Sequence, residues 1–238
     1  PTDVEETGEI VAYQFKQKHR PAPGGVSISN CKENAAGTLG CWVESEEGTC
    51  ILSNNHVMAM SNNGSPGDLI AQPGRLDRGV CPDDAIAKLL RFIMIDFSGG
   101  TNEVDAAIAS AIDPKYVDPR ILRRRRRLEK LADPHSKATI GMKVQKSGRT
   151  TGWTHGAVDL VATTVNVSYG THGVARFDNQ FRVFARKGFF SQPGDSGSLV
   201  TTDKENYPVG LLFAGGGGFT FCNDIGRVLT ALNVGIYY

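Results

Sequence analysis

The sequence predicts an all-β protein, organised as a sandwich or a barrel. Short strand-like runs alternate with turns along most of the 238 residues, a spacing typical of these two architectures. The 28 glycines supply turn positions between the runs, and 40% hydrophobic residues are sufficient for a buried core. The periodicity alone does not distinguish a sandwich from a barrel.

Residues 1–25 are interpreted as an N-terminal extension. Its residues 5–18 have a helix-like pattern, which a segment rich in proline and glycine closes at 21–25. The strands expected after it are residues 37–44, 49–53, 86–97 and 106–112, followed by 158–167, 181–185, 198–202 and 209–214. We therefore expect a first β-unit at 26–118 and a second at 138–238.

An arginine-rich segment at 119–137 joins the two units. Five consecutive arginines occupy 123–127, and Leu122, Leu128 and Leu131 fit one face of a short, mostly solvated helix. A charged linker is the leading interpretation. Docking of an acidic partner or RNA, and a protease-sensitive regulatory site, remain open as alternatives.

Composition argues against several classes of function. A net charge of +1 gives no overall field that would select nucleic acid, so we expect no nucleic-acid partner. The chain contains no apolar run of about 18 residues, so we expect no transmembrane helix and no membrane partner. It also lacks Cys-x-x-Cys and His-Glu-x-x-His patterns, so neither a metal nor another cofactor is expected.

The most informative motif is Gly194-Asp195-Ser196-Gly197. Glycines on both sides of a serine allow a tight turn in which the backbone approaches a substrate carbonyl closely. Two backbone N–H groups can then point at one position beside the hydroxyl. Attack on an acyl carbon needs this arrangement, because the developing negative charge must meet donors that are already in place.

A base and an orienting acid for Ser196 are also present. A short apolar strand runs into a polar turn that presents His56, and Asp105 begins a small apolar run at 106–111. A carboxylate entering an apolar segment needs hydrogen bonds, which a histidine N–H can supply. A cap on an alanine-rich helix remains an alternative role for Asp105. The other histidines lie in solvated or turn-like segments and are weaker candidates for the base: His19, His135, His155 and His172.

The order His, Asp, Ser and four sequence blocks carry a family resemblance. The blocks are Leu-Ser-Asn-Asn-His-Val at 52–57, Val-Asp-Ala-Ala-Ile-Ala at 104–109, Gly-Arg-Thr-Thr-Gly at 148–152 and Pro-Gly-Asp-Ser-Gly-Ser at 193–198. With them, the chain resembles trypsin-like (chymotrypsin-fold) serine peptidases of the bacterial type. The resemblance implies two six-stranded antiparallel β-barrels with the active site between them, and short helices in the N-terminal segment and the linker.

The resemblance also implies the role of each catalytic residue. Ser196 is expected to be the nucleophile that forms an acyl-enzyme, and His56 the base that takes the Ser196 proton. Asp105 is expected to hold the imidazole in the correct tautomer. The backbone N–H groups of Gly194 and Ser196 are expected to form the oxyanion hole.

The same framework places the substrate-binding pocket. Its expected lining residues are Phe190, Ser191, Phe213, Ala214 and Gly215. Phenylalanine at 190 cannot attract a basic side chain, so we expect a preference for apolar or small residues at P1, the substrate residue before the scissile bond. Asp224 leaves a basic preference open if its carboxylate turns into the pocket.

The cysteines bear on the compartment. Many secreted relatives carry a cysteine two residues after the catalytic histidine, where this chain has Met58. With five cysteines, an odd number, this difference favours a reducing, cytoplasmic location, although Cys41 and Cys50 remain candidates for neighbours across a hairpin. No secretion signal is visible in the sequence, which starts at Pro1.

The sequence thus predicts a serine endopeptidase that acts on protein or peptide substrates, regulated by another domain or a partner. In digestive relatives a newly cut N-terminal amine pairs with the aspartate before the nucleophile, so the resemblance implies a different partner for Asp195 here. Arg149 is a candidate, and a structural turn role for the block at 148–152 is equally open. A protease-fold binding module without catalysis is the alternative, and an esterase is a third option because it shares acyl-transfer chemistry.

Overall fold

The computed structural model describes residues 14–185 and 187–238, and β-strands dominate these residues. In chain order, the strands are β1 (Ala22–Gly24), β2 (Ser27–Asn30), β3 (Gly37–Thr38), β4 (Cys41–Ser45), β5 (Gly48–Ser53), β6 (Leu69–Ala71), β7 (Ala85–Phe92), β8 (Thr101–Asn102), β9 (Ala107–Ala111), β10 (Val117–Leu122), β11 (Leu128–Glu129), β12 (Lys143–Gly148), β13 (Gly152–Ser168), β14 (Val174–Phe184), β15 (Leu199–Thr202), β16 (Pro208–Gly216), β17 (Phe219–Asp224) and β18 (Gly235–Ile236). The all-β prediction is confirmed.

Helices are few and short in the described residues. The α-helices are α1 (Asn55–Met58) and α2 (Ile225–Leu232). The 3-10 helices are Gln14–Lys16, Arg75–Asp77, Pro114–Tyr116, Arg124–Arg126 and Gly170–His172. Within residues 14–185 and 187–238, no helix has the length and apolar character needed to cross a membrane.

The first sheet has eight strands in the order β18-β4-β5-β9-β7-β6-β2-β3. Its β4–β5 hairpin turns at 45–48, as predicted, and Gly48 takes a left-handed φ of +113° there, which favours glycine. The inner ends of both strands are buried in a core that contains Trp42, Ile51 and Met58. Within this sheet, β5 ends shortly before His56, and its neighbour β9 begins shortly after Asp105.

The second sheet closes on itself. Six strands pair in the ring β13-β12-β15-β16-β17-β14-β13, and β8 joins its edge by pairing with β14. The core of this barrel contains Val144, Phe181, Val200 and Leu212, all nearly inaccessible to solvent. A barrel is thus the architecture of this unit, and β8 ties it to the chain of the first sheet.

The linker contains strands rather than a helix with a leucine face. Strand β10 pairs in parallel with β1 and antiparallel with β11, and helical structure is confined to one 3-10 turn at Arg124–Arg126. Arg123 is buried, with its Nε 3.1 Å from Glu129 Oε2 and an Nη atom donating to Asn206 at 2.8 Å. The buried arginine therefore fastens the linker to the second barrel, which a solvated helix would not do.

The C-terminal segment returns to the first sheet. Helix α2 begins after Asp224, whose carboxylate caps it by accepting from the Arg227 N–H at 3.1 Å. Its buried face, which includes Ile225 and Val228, packs in one cluster with residues of β4 and β5. Strand β18 then pairs antiparallel with β4. The segment that follows the second barrel in the chain thus packs on the first sheet.

Several strand predictions differ from the structure at their ends. The run at 86–97 ends as a strand at Phe92, and β13 starts at Gly152, so His155 lies within a strand rather than a turn. His172 does lie in a turn, between β13 and β14. Most of the helix expected at 5–18 lies outside the described residues. The described part of this segment, 14–18, contains a 3-10 turn at Gln14–Lys16.

Cysteine pairing differs from the expectation of a reducing compartment. Cys31 and Cys81 form a disulfide, whereas Cys41, Cys50 and Cys222 are free and buried. Cys41 faces Leu52 across the β4–β5 hairpin and Cys50 faces Val43, so the two cysteines are not paired residues of the hairpin. Disulfides are typical of oxidising compartments, which disfavours the cytoplasmic prediction.

Candidate active site

His56 lies where β5 ends in the one-turn helix α1. At the end of the strand, the Ser53 hydroxyl donates to the Thr38 carbonyl oxygen at 2.7 Å. The Asn55 side chain fixes the turn by donating to the Ile93 carbonyl oxygen at 2.7 Å. These bonds hold the His56 imidazole, 22% exposed, at the wall of a cavity.

Asp105 lies directly beside the imidazole and is completely buried. The His56 ring nitrogen Nδ1 is 2.5 Å from Asp105 Oδ2, and the His56 backbone N–H donates to Oδ1 at 3.2 Å. A third donor, the Tyr169 hydroxyl, reaches Oδ2 at 2.8 Å. These donors offset the cost of burying the carboxylate. They also require the proton of a neutral imidazole to sit on Nδ1, which leaves Nε2 as a base.

Two asparagines hold the backbone of Asp105 from opposite sides. Asn54 precedes α1 and donates from its side chain to the Asp105 carbonyl oxygen at 2.7 Å. Asn223 lies on β17 of the other sheet and accepts the Asp105 N–H at 3.0 Å. Residues 107–111 form strand β9, so the structure does not support a helix cap as the role of Asp105.

Ser196 lies in a tight turn before β15. In this turn, the Asp195 N–H donates to the Gln192 carbonyl oxygen and the Ser198 N–H donates to the Asp195 carbonyl oxygen, both at 3.0 Å. Thr38 of the first sheet donates its N–H to the Ser196 carbonyl oxygen at 2.8 Å. The turn is thus held to the opposite barrel, and Ser196 lines the same cavity as His56.

The two N–H groups expected to form the oxyanion hole are unengaged. Neither the Gly194 nor the Ser196 N–H donates a hydrogen bond to any residue in the described ranges. Gly194 has a φ of +97°, and a Cβ there would come 2.5 Å from Thr150 Oγ1. The glycine is therefore required for the conformation that keeps both donors available.

Asp195 supports this turn from below with a fully buried carboxylate. Its Oδ1 accepts the N–H groups of Thr150 and Thr151 at 2.8 and 3.1 Å, and Oδ2 accepts the Gln192 N–H at 2.9 Å. The ammonium of Lys146, also fully buried, lies 3.5 Å from Oδ2. Desolvation lowers the pKa of Lys146 to about 8, although Asp195 acts in the opposite direction.

Arg149 is therefore not the charged partner of Asp195. Its guanidinium instead binds Asp77 with two hydrogen bonds of 2.7 and 2.6 Å. Two parallel contacts to one carboxylate make this a strong and directional ion pair. The Gly-Arg-Thr-Thr-Gly block binds Asp195 through other groups, namely the backbone N–H groups of Thr150 and Thr151 and the Thr151 hydroxyl.

The cavity that contains His56 and Ser196 has a volume of about 750 Å³. All of the predicted substrate-binding residues line it: Phe190, Ser191, Phe213, Ala214 and Gly215. The side chains at 190 and 213 are almost completely buried, so they form walls rather than protrude.

The polar groups in the cavity wall are mostly hydroxyls. Ser191 Oγ and Thr220 Oγ1 are 2.6 Å apart, and each satisfies the other. Among the described residues, the lining contains no carboxylate. Asp224 caps α2 and lies outside this cavity, so the structure removes it as a source of basic specificity.

Sequence reasoning missed several residues that hold the site together. Tyr169 and Asn223 contact Asp105, and Lys146 contacts Asp195, yet each stands in a segment without a catalytic motif. A lysine within strand β12, in which residues 144–148 are all buried, was the signal available for Lys146, since a buried ammonium requires a partner. No comparable signal marks Tyr169.

Metal chemistry has no visible site in the part of the chain that the structure describes. Within it, no group of three or more histidine, cysteine, aspartate or glutamate side chains is arranged to hold an ion.

Comparisons by sequence and by structure give different results. No family model matches the chain, and no curated protein matches it by sequence. Solved structures do match over nearly the whole chain. Nocardiopsis protease (NAPase) has a TM-score of 0.66 at 19% identity, covering 91% of this chain and 98% of its own.

Two further structures show the same likeness. Thermobifida fusca protease A has a TM-score of 0.65 at 19% identity, covering 90% of this chain and 97% of its own. A glutamic acid specific serine protease has a TM-score of 0.65 at 20% identity, with coverages of 91% and 100%. At these identities the likeness shows the fold. The chain has the two-barrel chymotrypsin fold of bacterial serine proteases, which confirms the fold class implied by the sequence blocks. The strand count differs from the expected two sets of six, because the first sheet has eight strands.

Proposed function

We propose that the chain is a serine endopeptidase that hydrolyses peptide bonds through an acyl-enzyme intermediate. The observation that carries this proposal is the 2.5 Å contact between His56 Nδ1 and Asp105 Oδ2 at the wall of the cavity that Ser196 also lines. A buried carboxylate that fixes the tautomer leaves Nε2 as a base on the cavity side. The solved structures of similar fold are proteases, which supports the same chemistry.

The proposed reaction has two halves. In the first, Ser196 Oγ bonds to the carbonyl carbon while His56 Nε2 takes its proton, and Asp105 stabilises the imidazolium. The imidazolium then protonates the leaving amine as the C–N bond breaks, which gives an ester on Ser196. In the second, His56 takes a proton from water, the hydroxide oxygen attacks the ester, and Ser196 Oγ regains its proton as the acid leaves.

Negative charge on the carbonyl oxygen is expected to be stabilised by the N–H groups of Gly194 and Ser196. Both donors are free of partners in the described residues, so substrate displaces no internal hydrogen bond. Removing one donor of this kind usually lowers the rate about 100- to 1,000-fold. Asp195 and its four backbone and side-chain donors keep the turn in this conformation.

A fluorophosphonate probe tests the proposal, because it labels only a serine activated for acyl transfer. We expect labelling of the intact chain and none of Ser196→Ala. Ser45→Ala, in the β4–β5 turn, is the matched control and should label normally. Absence of labelling in the folded parent chain would instead support the alternative, a protease-fold binding module without catalysis.

Specificity is proposed to favour apolar or small P1 residues. The cavity walls at 190 and 213 are aromatic, and the Ser191 and Thr220 hydroxyls in the lining bind each other. Without a carboxylate in the described lining, a lysine or arginine would lose its hydration and gain no opposite charge. Cleavage of a peptide library followed by mass spectrometry measures the preference, and dominant cleavage after arginine would contradict it.

Lys146 already provides a positive charge next to Asp195, so the site requires no newly formed N-terminal amine. Control by another domain or a partner stays a prediction. The Cys31–Cys81 disulfide is typical of an oxidising compartment, which argues against a cytoplasmic location.

A further inference from the structure

The carboxylate of Asp105 receives a hydrogen bond from the opposite barrel. Its Oδ2 is shared by the His56 imidazole, at 2.5 Å, and the Tyr169 hydroxyl, at 2.8 Å. In the described residues, Tyr169 is the only side chain besides His56 that donates to this carboxylate. Asn54 and Asn223 bind only the backbone of Asp105.

Tyr169 is held firmly in this position. It follows the last residue of β13, at the tip of the β13–β14 hairpin, immediately before the 3-10 turn Gly170–His172. Its ring packs against Phe97 and Phe177, with centroids 5.5 and 6.2 Å apart. The same ring meets the His56 imidazole edge-on, with centroids 5.9 Å apart. The tyrosine therefore touches both members of the acid–base pair.

The hairpin is also fastened to the segment that carries Asp105. Strand β14 pairs in parallel with β8, which precedes Asp105 by three residues. The Asn102 side chain donates to the Arg176 carbonyl oxygen at 3.1 Å, and Gln180 donates to the Glu103 carbonyl oxygen at 2.8 Å. The position of the hydroxyl relative to the carboxylate is thus fixed by contacts on both sides.

The hydroxyl is a permanent donor. Burial, followed by the negative charge of Asp105, raises the pKa of Tyr169 far above its usual range. The hydroxyl is therefore protonated, and able to donate, at neutral pH. Three titratable side chains meet here: His56, Asp105 and Tyr169. The two asparagines that bind the Asp105 backbone, at 54 and 223, carry no charge.

We propose that Tyr169 is a positioning residue that orients the Asp105 carboxylate, and through it the His56 imidazole, for proton transfer. The proposal rests on the serine endopeptidase function proposed above and adds a residue to it. Its physical basis is that one carboxylate oxygen with two fixed donors cannot rotate about the side-chain bond without losing both. The β13–β14 hairpin of the second barrel thereby orients the His56 imidazole, which follows β5 of the first sheet.

Tyr169→Phe tests the hydroxyl alone, because the ring and its packing contacts remain. We expect kcat to fall about 10-fold with KM unchanged, as the loss of one hydrogen bond to a charged group implies. Tyr207→Phe, another tyrosine of the second barrel, is the matched control and should leave kcat unchanged. Tyr169→Leu also removes the ring and should lower kcat further.

A second measurement is independent of catalysis. Proton NMR of the Ser196→Ala protein detects the His56 Nδ1 proton, which lies in the hydrogen bond to Asp105. Adding Tyr169→Phe should shift or broaden this resonance, since Oδ2 loses its other donor. Adding Tyr207→Phe should not.

The outcomes separate the two proposals. An unchanged resonance together with unchanged kcat would overturn the positioning role while leaving the peptidase function intact. A shifted resonance in a chain that labels with no fluorophosphonate would support the role of Tyr169 and contradict the peptidase function. A decrease in kcat with an unchanged resonance would also overturn the role, because the effect would then not pass through Asp105 and His56.

Discussion

Lys146 and Asp195 form an ion pair with 3.5 Å between the ammonium nitrogen and Oδ2, and both side chains are completely buried. Asp195 immediately precedes the proposed nucleophile, and its carboxylate orders the turn that presents the oxyanion donors. The pair therefore links a charge in the barrel interior to the conformation of the catalytic turn. Its two charges are expected to affect both stability and activity.

Lys146→Met should destabilise the protein by about 3–5 kcal/mol, because it leaves the buried Asp195 charge without its cation. Urea unfolding followed by fluorescence measures the change. Lys143→Met is the matched control, since Lys143 lies on the same strand but is exposed, and its effect should stay within about 0.5 kcal/mol. Equal decreases in the free energy of unfolding for both variants would show that the Lys146–Asp195 ion pair does not stabilise the fold.

The pH dependence of activity should include an alkaline limb from Lys146. Burial lowers the pKa of Lys146 from its ordinary 10.5 to about 8, so its charge next to Asp195 is lost as pH rises through about 8. We expect kcat/KM to decrease over that range. Lys146→Arg, which stays charged, should move the decrease to higher pH, and an identical profile in this variant would assign the limb to another group.

The same pKa predicts an opposite trend for stability. Between pH 8 and 10.5, the unfolded chain binds more protons at this lysine than the folded chain does. The contribution of Lys146 to the free energy of unfolding should therefore rise with pH in this window. Comparing urea unfolding of the parent and Lys146→Met at pH 7.5 and 9.5 isolates the contribution. A difference between the two proteins that is independent of pH would contradict the lowered pKa.

Asp105→Asn should preserve the fold and abolish most of the activity. An amide can offer its N–H to Nδ1, which favours the tautomer with the proton on Nε2 and removes the base. The same change in a Ser-His-Asp triad lowers kcat about 10,000-fold. Asp113→Asn, at a distant 3-10 helix cap, should have no effect on kcat, and steady-state kinetics on a peptide substrate measures both variants.

Gly197→Ala should lower the free energy of unfolding by more than the positive φ of this position accounts for. Gly197 has a φ of +91°, and a Cβ there would lie 2.1 Å from Ser53 Oγ and 2.3 Å from the Thr38 carbonyl oxygen. Gly217→Ala controls for backbone strain, because φ is also positive but no atom lies within 4 Å. We expect about 1 kcal/mol for Gly217→Ala and at least about 3 kcal/mol for Gly197→Ala in urea unfolding.

Much of the strand pattern could be predicted because its hydrophobic alternation and turns are local properties. The runs that became β5, β9 and β15 lie two or three residues from the candidate catalytic residues, and their bounds agree within one or two residues. Helix α2 was missed, although Asp224 at its N-cap and the apolar residues at 225, 228, 229 and 232 are a helical signal.

Other features depend on contacts between distant parts of the chain. The arginine run fits a solvated helix by composition, yet Arg123 is buried because Glu129 and Asn206 satisfy it. Tyr169 reaches Asp105 only because the long β13–β14 hairpin crosses to the first barrel. Neither contact leaves a local pattern in the sequence, so only the fold reveals them.

The pairing of β18 with β4 has a consequence for the molecule as a whole. A single proteolytic nick within residues 123–127 would not release two separate halves, since the downstream fragment still supplies an edge strand and helix α2 to the upstream one. Such a nicked protein should migrate as one species under native conditions and as two in detergent. The downstream fragment therefore completes the edge of the first sheet, while β8 of the upstream fragment stays paired with β14 of the second barrel.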